Sequence, residues 1–144
     1  MKILISACLL GLSCRYDGKS KEDAALIESL KGHELIPICP EIFGGLPTPR
    51  EACEISCGRV VTEKGTDMTA EFRKGAEECM RLARILGAEA AVLKDRSPSC
   101  GVGAVHNGRF DGGTIAGDGF TSAALKCAGL KVFSASDVLE KGIE

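Results

Sequence analysis

The sequence predicts an α/β fold: a single three-layer Rossmann-like domain with a mostly parallel sheet and an irregular flap. Short apolar runs alternate with segments of helical periodicity, and this order favours parallel strands joined by right-handed crossovers. The chain has 144 residues, 44% of them hydrophobic, which suits one domain with a sizeable core over residues 1–144. Residues 39–67 are interrupted by prolines and glycines, which is typical of a flap over a site.

Apolar periodicity and turn residues divide the chain into predicted elements. Strands are predicted, in order, at residues 3–7, 34–38, 59–62, 90–93 and 130–133. Helices are predicted at residues 21–30, 70–86 and 120–128, with a last helical turn at 136–141. Thr69 is the predicted cap of the second helix, and Asp118 or Thr121 that of the third. Asn107-Gly108 predicts a two-residue hairpin turn between residues 104–106 and 110–116.

Composition and charge argue against two classes of partner. A formal net charge of −2 gives no electrostatic reason to expect nucleic acid or an anionic membrane. With no tryptophan and one tyrosine, the chain also lacks a stacking platform for single strands. No apolar run approaches the ~20 residues that span a bilayer, and the first residues lack the pattern of a signal peptide. We therefore expect a cytoplasmic protein, whose oligomeric state the sequence does not predict.

Eight cysteines are many for a chain of this kind. Cytoplasmic thiols stay reduced, so a metal or cluster site explains some of them better than a disulfide framework does. Free cysteine is also a small buried hydrophobe, and this is our interpretation of Cys79 and Cys127, which lie in helical patterns, as does Met80. The two histidines, His33 and His106, are predicted to be peripheral, one at a helix end and one beside the hairpin.

Three predicted strands each run into a cysteine at the carboxyl end: Cys8, Cys39 and Cys100. Open α/β sheets bind ligands beyond this end of their strands, and neighbouring strands lie about 4.8 Å apart, so the three thiols can meet around one centre. Thiolates select zinc, Cu(I) or iron–sulfur clusters. The sequence has none of the CxxC spacings that structural zinc sites use, which favours a centre that bridges several loops.

Polar side chains beside these cysteines have the chemistry of an active site. Glu41 is a candidate general acid or base, with a plain surface carboxylate as the alternative. Ser97 and Ser99 are candidates for hydrogen bonds to a substrate or a cluster sulfur, or for local turn capping. Candidate substrate-binding residues, each with a role in solvated charge or a tight connection as the alternative, are Arg15, Tyr16, Asp17, Arg50 and Lys94.

Three blocks of sequence surround these residues in one order. They are SACLLGLSCRYDG at residues 6–18, CPEIFGGLPTPR at 39–50 and KDRSPSCG at 94–101, followed by Gly108-Arg109-Phe110 and Gly117-Asp118-Gly119. With these blocks, nearly the whole chain resembles the bacterial thiouracil desulfurase (desulfidase) family, long classed as a domain of unknown function. The resemblance implies a [4Fe-4S] cluster held by three cysteines, matched here by Cys8, Cys39 and Cys100, with Cys14 as a further candidate ligand.

The resemblance also implies a reaction. Sulfur is removed from a thiolated pyrimidine such as 2-thiouracil without redox chemistry, giving the oxo base and sulfide, while Glu41 and either Ser97 or Ser99 move protons. Two alternatives stay open on the residues alone. One is a zinc- or cluster-binding module without turnover, closed by Cys14 as fourth ligand. The other is a sulfur carrier that uses the thiol of Cys14 or Cys53.

Overall fold

The computed structural model describes residues 1–143 of the chain. Its strands, in chain order, are β1 (Lys2–Ser6), β2 (Glu34–Ile38), β3 (Cys53–Ser56), β4 (Arg59–Thr62), β5 (Ala90–Leu93), β6 (Ala104–His106), β7 (Thr114–Ala116) and β8 (Lys131–Ser134). Its α-helices are α1 (Ala24–Ser29), α2 (Pro40–Phe43), α3 (Thr69–Leu86), α4 (Phe120–Cys127) and α5 (Ala135–Lys141). A 3-10 helix covers Ala7–Leu10, directly after β1.

Four strands form a parallel sheet in the order β2-β1-β5-β8. The chain leaves β1 for β2 on one side and later returns to the other side of β1 with β5, so the strand order reverses between β1 and β5. The paired ends of neighbouring strands, Ser6 with Ile38 and Leu93 with Ser134, bring all four strands to one carboxyl edge. An edge of this kind, at a reversal of strand order, is where open parallel sheets bind ligands.

Helices cover both faces of this sheet. Ile3 and Ile5 of β1 are fully buried in one core with Leu26 of α1, and α5 packs there too. Leu4 lies in a second core with Leu125 of α4 and residues of α3, because successive side chains of a strand face opposite ways. The predicted three-layer α/β fold with a mostly parallel sheet is confirmed. None of the helices between residues 1 and 143 combines the length and the apolar composition that a membrane span needs.

Two predicted helix caps are wrong. The hydroxyl of Thr69, the first residue of α3, accepts a hydrogen bond from the backbone of β4 at 3.0 Å instead of serving its own helix. Helix α4 begins after Gly119 without a side-chain cap, and Thr121 lies inside its first turn. Asp118 instead accepts a hydrogen bond from the amide of Gly103 at 2.8 Å. These side chains tie a neighbouring strand or loop to the helix start, an arrangement that local sequence does not reveal.

The predicted flap, residues 39–67, is more regular than its composition suggests. It contains α2 and an antiparallel hairpin, β3–β4, of which the sequence predicts only β4. The hairpin turns at Cys57 and Gly58, whose φ angles are 52° and 76°. Cysteine rarely adopts this left-handed conformation, so the turn carries no sequence signal. The hairpin packs on α3 through the buried Val60 and Phe72, which gives this segment a small core of its own.

The second hairpin, β6–β7, has a wider connection than predicted. Residues 107–113 join its strands, so Asn107-Gly108 does not form a two-residue turn. The cause is Glu54 of β3, whose Oε1 accepts hydrogen bonds from the amides of Gly108 at 3.0 Å and Phe110 at 3.1 Å. These bonds draw the loop onto the first hairpin, and β6 contacts β3. The two hairpins therefore stand together beside the sheet.

Two cysteines that were assigned to helical patterns have different surroundings. Cys79 of α3 is fully buried in the second core, as predicted, and Met80 packs against the same core. Cys127 is the last residue of α4 and is exposed, so its prediction as a core residue is wrong. The helix ends there and turns its buried face toward the sheet through Leu125, two residues earlier.

Candidate active site

A cavity of about 260 Å³ opens at the carboxyl edge of the sheet. It lies between the ends of β1, β2 and β5 on one side and the two hairpins on the other. Drug-sized ligands occupy pockets of roughly 300–1,000 Å³, so this cavity suits a smaller molecule. The lining residues with polar or sulfur-bearing side chains are Ser6, Cys8, Cys14, Arg15, Tyr16, Cys39, Glu41, Arg50, Cys53, Glu54, Lys94, Ser97, Ser99, Cys100 and His106.

Three neighbouring strands bring their cysteines to this cavity. Cys8 lies in the 3-10 helix that continues β1, and Cys39 is the residue that begins α2 directly after β2. Cys100 ends the loop that follows β5. Cys8 and Cys100 are buried and Cys39 is half-buried. In the strand order β2-β1-β5, the strand that leads into Cys8 lies between the strands that lead into Cys39 and Cys100.

Close backbone packing fixes the position of Cys39 and of Glu41, which stands in the first turn of α2. Helix α2 lies directly on α3, and two glycines form the contact. A Cβ atom on Gly75 would overlap the carbonyl oxygen of Pro40, and one on Gly44 would overlap that of Glu71. No side chain fits between the two helices. The glycines therefore let the short helix, which begins after Cys39 and contains Glu41, pack directly against α3.

The loop that carries Cys100 is held from within and from outside. The backbone amide of Cys100 donates a hydrogen bond to Ser97 Oγ at 2.6 Å, and the amide of Gly101 donates to the carbonyl of Ser97 at 2.9 Å. Helix α4 closes on the loop, because a Cβ on Gly119 would lie 2.6 Å from the carbonyl oxygen of Ser99. These contacts fix the backbone at Cys100 and turn its sulfur toward the cavity.

The cavity thiols lie close enough to influence one another. Burial raises the pKa of Cys8, and it raises the pKa values of Cys14 and Cys100 to about 12. The neighbouring Cys39 thiol further raises the pKa of both Cys8 and Cys14, and Cys8 raises the pKa of Cys100. Burial and mutual repulsion therefore favour the neutral thiol form of Cys8, Cys14 and Cys100.

Cations and a hydroxyl group around the thiols counteract this effect. Lys94 and Arg15 lower the pKa of Cys8, and a hydrogen bond from Ser6 lowers the pKa of Cys100. These three groups stabilise a thiolate rather than a thiol. Within residues 1–143, the Nζ atom of Lys94 makes neither an ion pair nor a hydrogen bond. These groups offset part of the cost of burying a thiolate, which is the form of cysteine that binds a metal.

Glu41 forms the centre of a hydrogen-bonded chain beside these sulfurs. Its Oε1 accepts from Arg50 Nε at 2.9 Å, and its Oε2 accepts from Ser99 Oγ, also at 2.9 Å. Ser99 Oγ in turn lies 3.3 Å from Ser97 Oγ and 3.7 Å from Cys100 Sγ. The alternative of a plain surface carboxylate does not describe Glu41, whose side chain is 16% exposed and paired with a guanidinium that is 6% exposed.

The remaining predicted residues occupy different places. Arg15, Tyr16 and Lys94 line the cavity, whereas Asp17 lies outside it, where it pairs with Arg15 at 3.7 Å and accepts a hydrogen bond from the backbone of its own loop. Arg50 also lines the cavity, but its guanidinium is engaged by the protein. It bonds Glu41, the carbonyls of Cys14 and Pro47, and the hydroxyl of Thr48.

Three further lining residues were not predicted as part of a desulfurase site: Glu54, His106, and Cys53, which was named only as the thiol of an alternative sulfur carrier. Two of them belong to β3, which the sequence did not predict, and the third stands at the end of β6, where it was predicted to be peripheral. Burial raises the pKa of Cys53 to about 11, and the nearby carboxylates of Glu41 and Glu51 act in the same direction. The one available signal was Glu54 itself, an acidic residue inside an otherwise apolar run.

Among residues 1–143, no three cysteine, histidine, aspartate or glutamate side chains come close enough together to hold a single metal ion. The five cavity cysteines are free thiols spread along the wall. This spacing distinguishes the site from a compact zinc site, in which four donors surround one ion at about 2.0–2.3 Å.

Comparison with known protein families gives a match over most of the chain. The model of the 2-thiouracil desulfurase family matches residues 3–137. The chain belongs to the 2-thiouracil desulfurase family. The resemblance found in the three sequence blocks is thereby confirmed, and so is the prediction of an enzyme of the desulfurase class.

A solved structure and a curated sequence resemble this family member over nearly their whole lengths. The structure is that of a [4Fe-4S]-dependent thiouracil desulfidase, TudS, with 47% identity and a TM-score of 0.89 over 96% of this chain and 93% of that chain. The sequence is the uncharacterized protein YbbK of Bacillus subtilis (strain 168), 38% identical over 94% of this chain and 97% of its own length. The likeness to TudS supports the three-layer fold independently of the sheet order.

Proposed function

We propose that this chain is a [4Fe-4S]-dependent desulfurase that converts a thiolated pyrimidine, such as 2-thiouracil, into the oxo base and sulfide. The observation that carries the proposal is the meeting of Cys8, Cys39 and Cys100 with Glu41 in one cavity of small-molecule size. Family membership and the likeness to TudS support the reaction and the substrate class. In this reaction water oxygen replaces sulfur: a C–O bond forms, a C–S bond breaks, and no electrons are gained or lost.

The donor set fits a cluster. Cys8, Cys39 and Cys100 would hold it, because thiolates are the ligands of iron–sulfur clusters and these three come from separate strand ends. A cluster held there would need these three thiolates spread around a group larger than a single ion. That spacing agrees with the lack of a compact three-donor group in the described part of the chain. Lys94 and Arg15 supply positive charge beside Cys8, which offsets the anionic charge of such a group.

When bound, the cluster supplies a Lewis-acidic iron for the thiocarbonyl sulfur. The chain's own residues then manage the attacking water. Ser99 takes a proton from the water while it passes its own proton to Glu41, to which its hydroxyl already donates at 2.9 Å. Arg50 donates to the other carboxylate oxygen and so fixes the orientation of Glu41. Ser97 is a positioning residue, since its Oγ accepts from the Cys100 amide and contacts the Ser99 hydroxyl.

The proposal is tested by turnover under oxygen-free conditions. Protein reconstituted with iron and sulfide is given 2-thiouracil and 4-thiouracil, and uracil and sulfide are quantified together. We expect one sulfide for each uracil, at a rate that follows the iron content, and no turnover by protein loaded with zinc instead. A preparation with a complete cluster that turns over no thiolated pyrimidine would contradict the proposed substrate class.

A substitution of Cys14 distinguishes this proposal from the alternative of a metal-binding module in which the protein supplies all four ligands. Its sulfur lines the cavity, and its backbone carbonyl accepts hydrogen bonds from both Arg50 and Cys39. If the site leaves one iron open, Cys14→Ser keeps its iron and stays within about threefold of the original rate, because a buried cysteine here acts as a small packing residue. Loss of iron from this variant would favour a closed site with four protein ligands. Persulfide on metal-free protein, detected by mass spectrometry, would favour a sulfur carrier.

A further inference from the structure

The wall of the cavity opposite the thiols carries a carboxylate that the proposed reaction does not use. Glu54 is 8% exposed and lines the cavity from β3. No lysine, arginine or histidine within residues 1–143 pairs with it. A buried carboxylate without a cationic partner is costly, so it needs hydrogen-bond donors.

Only one of its two oxygens finds such donors in the protein. Oε1 accepts from the amides of Gly108 and Phe110, at 3.0 and 3.1 Å, and these bonds fix the orientation of the carboxylate. Oε2 has no protein donor within residues 1–143, and it is not among the polar atoms that are sealed off from solvent. Oε2 is therefore an accessible acceptor on a residue that lines the cavity.

His106 stands beside Glu54 on the same wall. It ends β6, which contacts β3, and its ring also lines the cavity. Its Nδ1 is buried without a hydrogen-bond partner in the described residues, whereas Nε2 is not sealed off from solvent. Nδ1 engages no group of residues 1–143, and with the proton on Nε2 the accessible ring nitrogen of this lining residue is a donor.

We infer that Glu54 and His106 are substrate-binding residues that form hydrogen bonds with one edge of the heterocycle, where a ring N–H lies beside a carbonyl oxygen. Glu54 Oε2 accepts from the N–H, and His106 Nε2–H donates to the oxygen. This inference rests on the proposed function, since it assumes that the thiocarbonyl carbon faces the thiol side. In both 2-thiouracil and 4-thiouracil the matching edge is N3–H with the oxo group next to it, whereas in 2-thiouracil N1–H has no such neighbour.

Methylated substrates and one conservative variant test the inference. In Glu54→Gln the amide oxygen keeps both bonds to the loop, while the cavity-facing acceptor becomes a donor. We expect the KM for 2-thiouracil to rise about 10- to 100-fold, the range of a hydrogen bond to a charged group, with kcat and iron content little changed. Glu51→Gln is the matched control, because Glu51 lies on the same segment but outside the cavity, where it pairs with the exposed Lys64.

The methyl analogues distinguish recognition from support of the loop. The original protein should process 1-methyl-2-thiouracil normally and 3-methyl-2-thiouracil at least about 10-fold less efficiently. Glu54→Gln should lose most of this discrimination, since the N3–H no longer has its acceptor. A purely structural role would slow all three substrates alike. Discrimination that persists unchanged in the variant, with an unchanged KM, would overturn the inference and leave the desulfurase proposal standing.

Binding of the product provides a readout that does not depend on turnover. Uracil titrated into protein purified without oxygen should bind about 10-fold or more weakly to Glu54→Gln and to His106→Phe than to the original chain. If the original protein turns nothing over yet binds uracil through these two residues, the desulfurase proposal fails and the recognition site stands. If uracil does not bind at all, the recognition site fails. Should Glu54→Gln not fold, His106→Phe decides the matter in the same way.

Discussion

The two walls of the cavity differ in how the fold builds them. The thiol wall, formed by Cys8, Cys39 and Cys100, stands on the ends of three paired parallel strands, of which β5 is buried throughout, β1 is buried from Ile3 onward and the edge strand β2 is partly exposed. The hairpin wall, formed by Glu54 and His106, stands on two small two-stranded sheets joined to each other by the hydrogen bonds of one carboxylate. The first wall is therefore continuous with the core of the main sheet. The second is held by few contacts, and it is better suited to selecting a substrate than to holding a cofactor.

The largest expected effect comes from the thiol wall. Replacing Cys39 or Cys100 by serine removes one of three proposed ligands, so we expect loss of most bound iron and a fall in activity of more than about 100-fold. Iron content and desulfurase rate are measured on the same preparations. Cys127→Ser is the control, because Cys127 is exposed at the end of α4 and does not line the cavity. An equal iron content in Cys39→Ser, Cys100→Ser and Cys127→Ser would contradict the assignment of the ligands to the thiol wall.

A second prediction separates chemistry from cofactor binding on the thiol side. Glu41→Gln keeps the size of the side chain but cannot take the proton that Ser99 passes on, so kcat should fall about 10²- to 10⁴-fold. The electronic spectrum and the iron content should stay unchanged, because the hydrogen bonds of Glu41 within residues 1–143 are to Arg50 and Ser99 and not to a thiol. A variant with full activity would remove Glu41 from the proposed proton route.

The packing beneath the thiol wall gives a third and smaller effect. Gly75→Ala should lower the free energy of unfolding by about 1–3 kcal/mol, because the added Cβ meets the carbonyl oxygen of Pro40 and forces α2 away from α3. Chemical denaturation followed by circular dichroism measures the change. Glu77→Ala, on the exposed face of the same helix, is the control. In the absence of the clash, alanine would instead stabilise the helix by about 1 kcal/mol, so the sign of the change decides.

The smallest expected effect concerns Asp67, which lies between β4 of the first hairpin and α3. Hydrogen bonds from the side chain and the backbone of Thr69, followed by one from Arg59, lower the pKa of Asp67 to about 2 from an ordinary 3.8. The stabilisation from this carboxylate is therefore complete above about pH 4 and is lost as the pH falls toward 2. Asp67→Asn should lower the melting temperature slightly at pH 7, and this difference from the original chain should vanish near pH 2. A difference that is the same at both pH values would contradict the assignment.

The sequence predicted one wall and not the other for a physical reason. Strand ends are marked by runs of buried apolar residues, so β1, β2 and β5 could be placed, and with them Cys8, Cys39 and Cys100. The turn of β3–β4 depends on a left-handed cysteine, Cys57, and the width of β6–β7 depends on a carboxylate from another hairpin. Contacts between distant segments decide both features, and no local pattern records them.

The same contrast holds for individual side chains. Glu41 and Ser99 were predicted because they flank cysteines in the sequence, and the fold joins them directly at 2.9 Å. Asp17 was predicted for the same reason, yet it faces away from the cavity and holds its own loop. Arg50 lies near the site as predicted, but its donors are occupied by the protein. Sequence proximity identified the neighbourhood of the site, and the tertiary contacts decided which side chains face a ligand.

One measurement tests most directly the claim that three strand-end thiols hold a single cluster: the iron and acid-labile sulfide content of the original chain and of Cys100→Ser, both purified without oxygen. The original chain should contain about four iron and about four sulfide per polypeptide, and the variant should contain little of either. A single zinc ion in the original chain, or an iron content that the substitution leaves untouched, would contradict the account.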